Sequence, residues 1–300
     1  MQKLIVILGP TAVGKTKFAV QLAYKFNGEI ISADSRQVYK LMDIGTGKDI
    51  NEYSFNNKKI PYHIIDVANP TNEYDLFSFQ KDFYNAIKII AKNKNTPFLV
   101  GGTGLYIHSI LKNYKLKEVD FNSARAKFLT NVDESELKII LNKLRPIQHN
   151  ITDIEDKQRI IKAILITESN NEVNSPYLNF STLVIGIREN REIVKKRITD
   201  RLKYRLQNGM IEEVKKLISF GIAYEKLDFF GLEYKFIGKF LQGELTYNDM
   251  FQKLNSAIHQ FSKRQMTWFR KMEKEGVLIN WMSYSEIDKA YFLISDFLKK

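Results

Sequence analysis

Residues 9–16 read Gly9-Pro10-Thr11-Ala12-Val13-Gly14-Lys15-Thr16, the spacing of a phosphate-binding loop. Gly9 and Gly14 allow backbone N–H groups to close around an anion, Lys15 adds a point charge, and the Thr16 hydroxyl can hold a metal ion. A helix starting here adds the partial positive charge of its N-terminus. The chemistry implied is binding of a di- or triphosphate. Kinases, ATPases and alkyl transferases all have a use for such a loop, so other residues must choose between them.

Asp34 closes the apolar run Ile30-Ile31-Ser32-Ala33 and is placed to ligate magnesium or to accept a proton from an attacking group. A helix N-cap is the plainer use of an Asp-Ser pair. Asp66 ends a similar run, Ile64-Ile65, and is the rival carboxylate for a metal. His63 beside it is expected to be a packed, hydrogen-bonded residue. Thr103 stands in Gly101-Gly102-Thr103-Gly104, where glycines permit close approach of a substrate. In Lys263-Arg264-Gln265-Met266-Thr267-Trp268-Phe269-Arg270-Lys271, helical spacing puts Lys263, Thr267 and Arg270 on one face. That face can neutralise phosphates, or it can be a solvated surface over Trp268 and Phe269.

These residues need an alternating scaffold. Leu4–Leu8, Glu29–Ala33, Tyr62–Val67 and Pro97–Val100 read as strands, with helices over 17–26, 77–92 and 105–111. Such alternation predicts a parallel α/β sheet whose ligands sit beyond the strand C-termini. After about Lys117 the pattern becomes helical, over 124–129, 134–144 and 154–168, and 169–180 reads as a polar linker with Pro176. Leu183–Ile187 resumes the sheet and Glu189–Leu206 begins a long helix. From Met210 onward the chain reads as helices broken at Gly221, Gly231, Gly243 and Gly276. The expected organisation is an α/β phosphate-loop core over 1–117 and 181–300 with a helical C-terminal part, and a helical insertion over 118–180.

A net charge of +12 over 300 residues, with arginine dense near 188–205 and basic residues near 263–271, fits either a lysine-rich solvated surface or a polyanionic partner. A hydrophobic fraction of 44% excludes a disordered chain. The absence of cysteine excludes disulfides, thiolate zinc sites and cysteine nucleophiles. The start leads directly into the first strand, and no apolar run is long enough to cross a membrane, so a cytoplasmic protein is expected. A monomer is the working expectation, although the sequence does not give the oligomeric state.

Taken together, the segments resemble the bacterial tRNA dimethylallyltransferases. The matching pieces are residues 9–16, Ser32–Tyr39, Met42–Lys48, His63–Val67, Leu99–Tyr106 and Lys263–Arg270, in the family's order and across nearly the whole chain. The resemblance implies that the loop holds dimethylallyl diphosphate and that the prenyl group goes to N6 of the adenosine just 3′ of certain anticodons. It implies Asp34 as base or orienter of the amine, with Lys15, Thr16 and the loop amides stabilising the leaving diphosphate and Mg2+ as countercharge on Thr16. RNA contacts implied by the same resemblance are Asp34, Ser35, Arg36, Gln37, Thr103, Arg125, Gln158, Arg159, Lys162, Lys263, Arg264, Gln265, Thr267 and Arg270. The insertion then becomes the part that grips the anticodon stem-loop. Departures are Glu233 in place of the family's glycine before Tyr234-Lys235, Lys162 for a second arginine, and Leu165 for a glutamate.

Three other functions compete. A free-nucleotide prenyltransferase needs neither the insertion nor the basic 263–270 segment. A kinase needs a phosphoryl acceptor site that the sequence does not display. A non-catalytic RNA-binding protein has no use for Lys15, Thr16 and Asp34 together. Transfer to tRNA is therefore the expectation.

Overall fold

A computed structural model describes residues 2–145, 157–169 and 179–300. The chain begins with β1 (Gln2–Leu8), α1 (Lys15–Lys25) and β2 (Gly28–Ala33), then a hairpin of β3 (Ser54–Phe55) and β4 (Lys58–Lys59), and β5 (Tyr62–His63). Next come α2 (Leu76–Lys92), β6 (Thr96–Gly101) and α3 (Gly104–Leu111). Helices α4 (Ala124–Thr130), α5 (Glu134–Leu144) and α6 (Lys157–Glu168) follow, then β7 (Phe180–Ile187) and α7 (Arg191–Gln207). The remainder is α8 (Met210–Ser219), α9 (Tyr224–Phe230), α10 (Leu232–Leu241), α11 (Tyr247–Lys274), β8 (Ile279–Met282) and α12 (Ile287–Lys299).

Six strands form one parallel sheet in the order β5-β2-β6-β1-β7-β8. Central β1 shows why its sequence is apolar throughout rather than alternating. Leu4, Val6 and Leu8 enter one core, and Ile5 and Ile7 enter the other. Successive side chains of a strand point to opposite faces, and here helices cover both faces. α2, α3, α8, α10 and α11 pack on the first face, α1 and α12 on the second. α7 serves both, with Val194 and Ile198 in one core and Leu202 and Leu206 in the other. Each such aliphatic side chain contributes roughly 1.5–3 kcal/mol by leaving water.

The chain divides into two compact units, Met1–Asn113 with Leu178–Lys300, and Tyr114–Tyr177. In the second unit α4, α5 and α6 share a small core of Leu129, Leu137, Leu141, Ile160 and Ile164. The expected helix start at 154 and most of the expected linker, 170–178, lie outside the described residues.

Three expectations change. The strand expected over 62–67 ends at His63, because Ile64 and Asp66 take left-handed φ of 61° and 57° and break the extended path. The region from Met210 is not wholly helical: Ile279–Met282 pairs in parallel with Val184–Ile187 and makes the sixth strand. Residues 54–59, assigned to no element in the sequence, form a hairpin turned by Asn56 and Asn57 at φ 48° and 59°. Asparagine tolerates that conformation.

Candidate active site

The loop 9–16 leaves the buried end of β1 and enters α1 at Lys15. Gly14, at φ 87°, is the residue that makes the turn into the helix, and the Tyr284 ring packs directly on it. A β-carbon there would be strained and would crowd that ring. Among the described residues no side chain caps the α1 N-terminus and its first turn has no acid, so its amides are free for an anion. Lys15 Nζ donates to the Pro10 carbonyl at 2.6 Å. Desolvation lowers the Lys15 pKa to about 8; the nearby Asp34 carboxylate opposes this and the Arg201 guanidinium adds to it.

Asp34 follows β2 as the sheet topology requires. Its Oδ1 accepts from the Arg36 amide at 2.9 Å, a local turn rather than a helix cap. Thr103, at the end of β6, accepts from the Ser35 amide at 3.0 Å, and its own amide donates to the Ala33 carbonyl at 3.1 Å. The two strand ends are thereby tied together. Asp34, Ser35, Arg36, Gln37, Thr103, Lys15 and Thr16 all line one cavity of about 1140 Å³.

Its other wall is one the sequence reasoning missed. Arg197, Arg201 and Arg205 follow each other at four-residue spacing on α7 and line the same cavity. The dense arginine near 188–205 was visible as charge, and reading it at helical period would have aligned these three. Arg205 is 8% exposed, lies 3.5 Å from the Asp49 carboxylate, and has its pKa pulled down to about 10 by burial and by Arg201. It stays charged at neutral pH. Glu233 also lines the cavity; burial raises its pKa, while Arg205, Arg201 and Arg36 hold it back.

Several expected RNA contacts are engaged inside the protein. Gln265 is buried: its Oε1 accepts from the Thr11 amide at 2.8 Å and its Nε2 donates to the Gly102 carbonyl at 2.9 Å. It staples the phosphate loop to the glycine turn, because both ends of its carboxamide are committed to backbone. Gln37 donates to the Gly47 carbonyl at 3.1 Å. Arg36 donates to the Phe229 carbonyl and lies over the Phe229 ring at 5.8 Å. Arg125 forms a two-pronged pair with Glu168 at 2.9 and 2.6 Å within the three-helix unit, so its charge is already matched.

Others remain on the surface. Lys263, Arg264, Thr267 and Arg270 are exposed on α11, Arg264 at the cavity rim. The Thr267 hydroxyl donates back to the Lys263 carbonyl at 3.2 Å. Gln158 and Arg159 are exposed on α6 and Lys162 is half-buried. Asp66, the rival carboxylate, pairs with Lys48 at 2.5 Å and does not line the cavity. His63 is bonded to Glu29 at 2.7 Å, the packed role expected for it. Among the described residues no three histidines, aspartates or glutamates cluster to hold a metal. No described helix is long and apolar enough to cross a membrane.

A parallel α/β fold with a phosphate loop, an adjacent carboxylate and an arginine row around one large cavity is the class of site that takes a phosphorylated ligand. Residues 37–272 match the IPP transferase family model and residues 2–60 the isopentenyl transferase model. The chain is 49% identical to tRNA dimethylallyltransferase 1 of Geotalea daltonii over 93% of this chain and 90% of that protein. It is 48% identical to tRNA dimethylallyltransferase 1 of Azobacteroides pseudotrichonymphae, over 95% and 94%. The crystal structure of the full-length tRNA isopentenylpyrophosphate transferase of Bacillus halodurans superposes with a TM-score of 0.72 at 30% identity, covering 100% and 97% of the two chains. A eukaryotic dimethylallyltransferase acting on tRNA superposes at 0.77 with 25% identity, covering 100% of this chain and 80% of that one. The chain belongs to the IPP transferase family.

Proposed function

We propose that this protein transfers a dimethylallyl group from dimethylallyl diphosphate to tRNA, at N6 of the adenosine just 3′ of the anticodon. One observation carries the reading: the phosphate loop, Asp34 and the α7 arginines open onto a single cavity of about 1140 Å³. That exceeds the roughly 300–1,000 Å³ usual for one small ligand, leaving room for a nucleoside beside a prenyl diphosphate.

In this assignment the amides at the start of α1, Lys15, Arg201 and Arg205 hold the diphosphate, while the Thr11 amide stays with Gln265, and Asp34 faces the amine. The donor C1–O bond breaks as the N6–C1 bond forms. The electron pair leaves on the diphosphate oxygen and the N6 proton passes to the Asp34 carboxylate. An allylic carbon ionises readily, so the protein's contribution is to stabilise leaving-group charge and to align the amine. The Thr16 hydroxyl opens onto the cavity beside Lys15 and suits a hard cation such as Mg2+, which when bound supplies countercharge to the diphosphate.

The exposed α11 residues Lys263, Arg264, Thr267 and Arg270, with Gln158, Arg159 and Lys162 of α6, form the RNA-facing set. The target base leaves its loop to reach the cavity, as recognition of single-stranded RNA requires. Arg125 joins the set only by exchanging Glu168 for a phosphate. The three-helix unit is the part that grips the anticodon stem-loop.

Incubation with radiolabelled dimethylallyl diphosphate and either bulk tRNA or AMP tests the proposal. Label in tRNA is the expected result. Label in AMP alone would make the protein a free-nucleotide prenyltransferase, and ATP consumption without prenyl transfer would make it a kinase.

A further inference from the structure

Glu213 of α8 is a carboxylate with an unusual set of partners. It is nine-tenths buried, and the four hydrogen bonds to it all come from neutral donors. The amides of Asp43 and Ile44 donate to Oε2 at 2.7 Å each, and the Gly45 amide donates to Oε1 at 2.9 Å. The buried Tyr234 hydroxyl donates to Oε1 at 2.7 Å while its ring packs on the bare Cα of Gly45. A buried charge is tolerated only when it is fully hydrogen-bonded, and here three consecutive amides satisfy it. Those amides belong to one turn, so the charge dictates the path of the chain through residues 43–47.

The next part of that loop touches the site. Gly47 sits at φ 67°, and a β-carbon on it would lie 2.0 Å from Arg205 Nη2 and 2.6 Å from Arg201 Nη2. Both guanidiniums therefore rest on the loop at this one glycine. Arg201 and Arg205 also line a narrow cleft with Thr11 and Ala12 of the phosphate loop. The geometry points to Glu213 as a positioning residue: by fixing loop 43–47 it sets the shelf that aims Arg201 and Arg205 at the diphosphate. The inference rests on the proposal that these arginines bind diphosphate. Tyr234 is the second half of the clamp, bonding Glu213 and covering Gly45 at once.

Inorganic diphosphate binding, measured by calorimetry on the full-length chain, tests this. Glu213→Gln presents an amide N–H toward a backbone donor and is expected to weaken diphosphate about tenfold. Arg201→Gln is expected to do the same. The double variant should lose little more than the larger single loss, because both changes disable one device. Glu213→Gln combined with Lys15→Arg should instead give additive losses. Additivity between Glu213→Gln and Arg201→Gln, or unchanged diphosphate affinity in Glu213→Gln, overturns the inference. If Arg201→Gln itself binds diphosphate normally, the arginine assignment fails first. Should Glu213→Gln fail to fold, Tyr234→Phe and Gly47→Ala carry the test. Removing one donor is expected to weaken binding two- to threefold, and displacing both guanidiniums about tenfold. Parent-like affinity in both variants overturns the clamp.

Discussion

Lys15 and Asp34 face one cavity with opposite requirements. The Lys15 pKa, 10.5 when free, falls to about 8 in the fold, chiefly by desolvation. A lysine shifted down is charged below about pH 8 at a cost to folding, and that cost disappears as pH rises through 8 toward 10.5. Anion affinity runs the other way, since the charge that attracts diphosphate is lost over the same rise. Diphosphate binding should therefore weaken as pH passes about 8. Lys15→Arg, whose guanidinium keeps its charge, should lack that component; identical pH profiles for the two proteins would refute the assignment. Asp34→Ala removes the carboxylate proposed to accept the N6 proton. Turnover should fall by about 10²–10⁴ while tRNA affinity is kept, and a near-normal single-turnover rate would show that another group takes the proton.

Among the elements, α11 has two jobs on two faces. Its buried face delivers Gln265 to Thr11 and Gly102, and its outer face presents Lys263 and Arg270. Gln265→Met leaves a buried N–H and a carbonyl unpaired, an expected cost of about 1–3 kcal/mol and a Tm lower by a few degrees, with weaker diphosphate binding. Replacing Lys263 and Arg270 by glutamine should leave Tm alone, weaken tRNA binding, and reduce its salt slope by about one phosphate each. An unchanged slope would mark that face as solvated surface only. Helical spacing revealed the outer face, but nothing local to Gln265 announces a partner 254 residues away. The sheet was legible for a related reason: β1, β2 and β6 are apolar runs ending at glycine or aspartate. Ile279–Met282 was not, because four residues after a glycine carry too little period to be told from a helix end. The extended reading of 62–67 failed where the backbone turned left-handed at Ile64, a choice its β-branched side chain argues against.

For the whole molecule, the +12 charge is distributed rather than pooled. Arg201 and Arg205 face the cavity, Arg125 is matched by Glu168, and Lys263 and Arg270 lie outside. Charge alone fitted a solvated surface and a polyanionic partner equally, and its distribution sets the arginines of the cavity apart from the exposed cations of α11. The stapling of Thr11 by Gln265 and the covering of Gly14 by Tyr284 have a further consequence. A ribosome makes the phosphate loop within the first few seconds of synthesis, at roughly 5–20 residues per second, but its supports emerge only near the other end of the chain. Contacts of such separation make folding slow, and they also make it conditional. A nascent or prematurely terminated chain therefore carries the anion motif without Gln265 and Tyr284, the distant side chains that brace it in the finished fold.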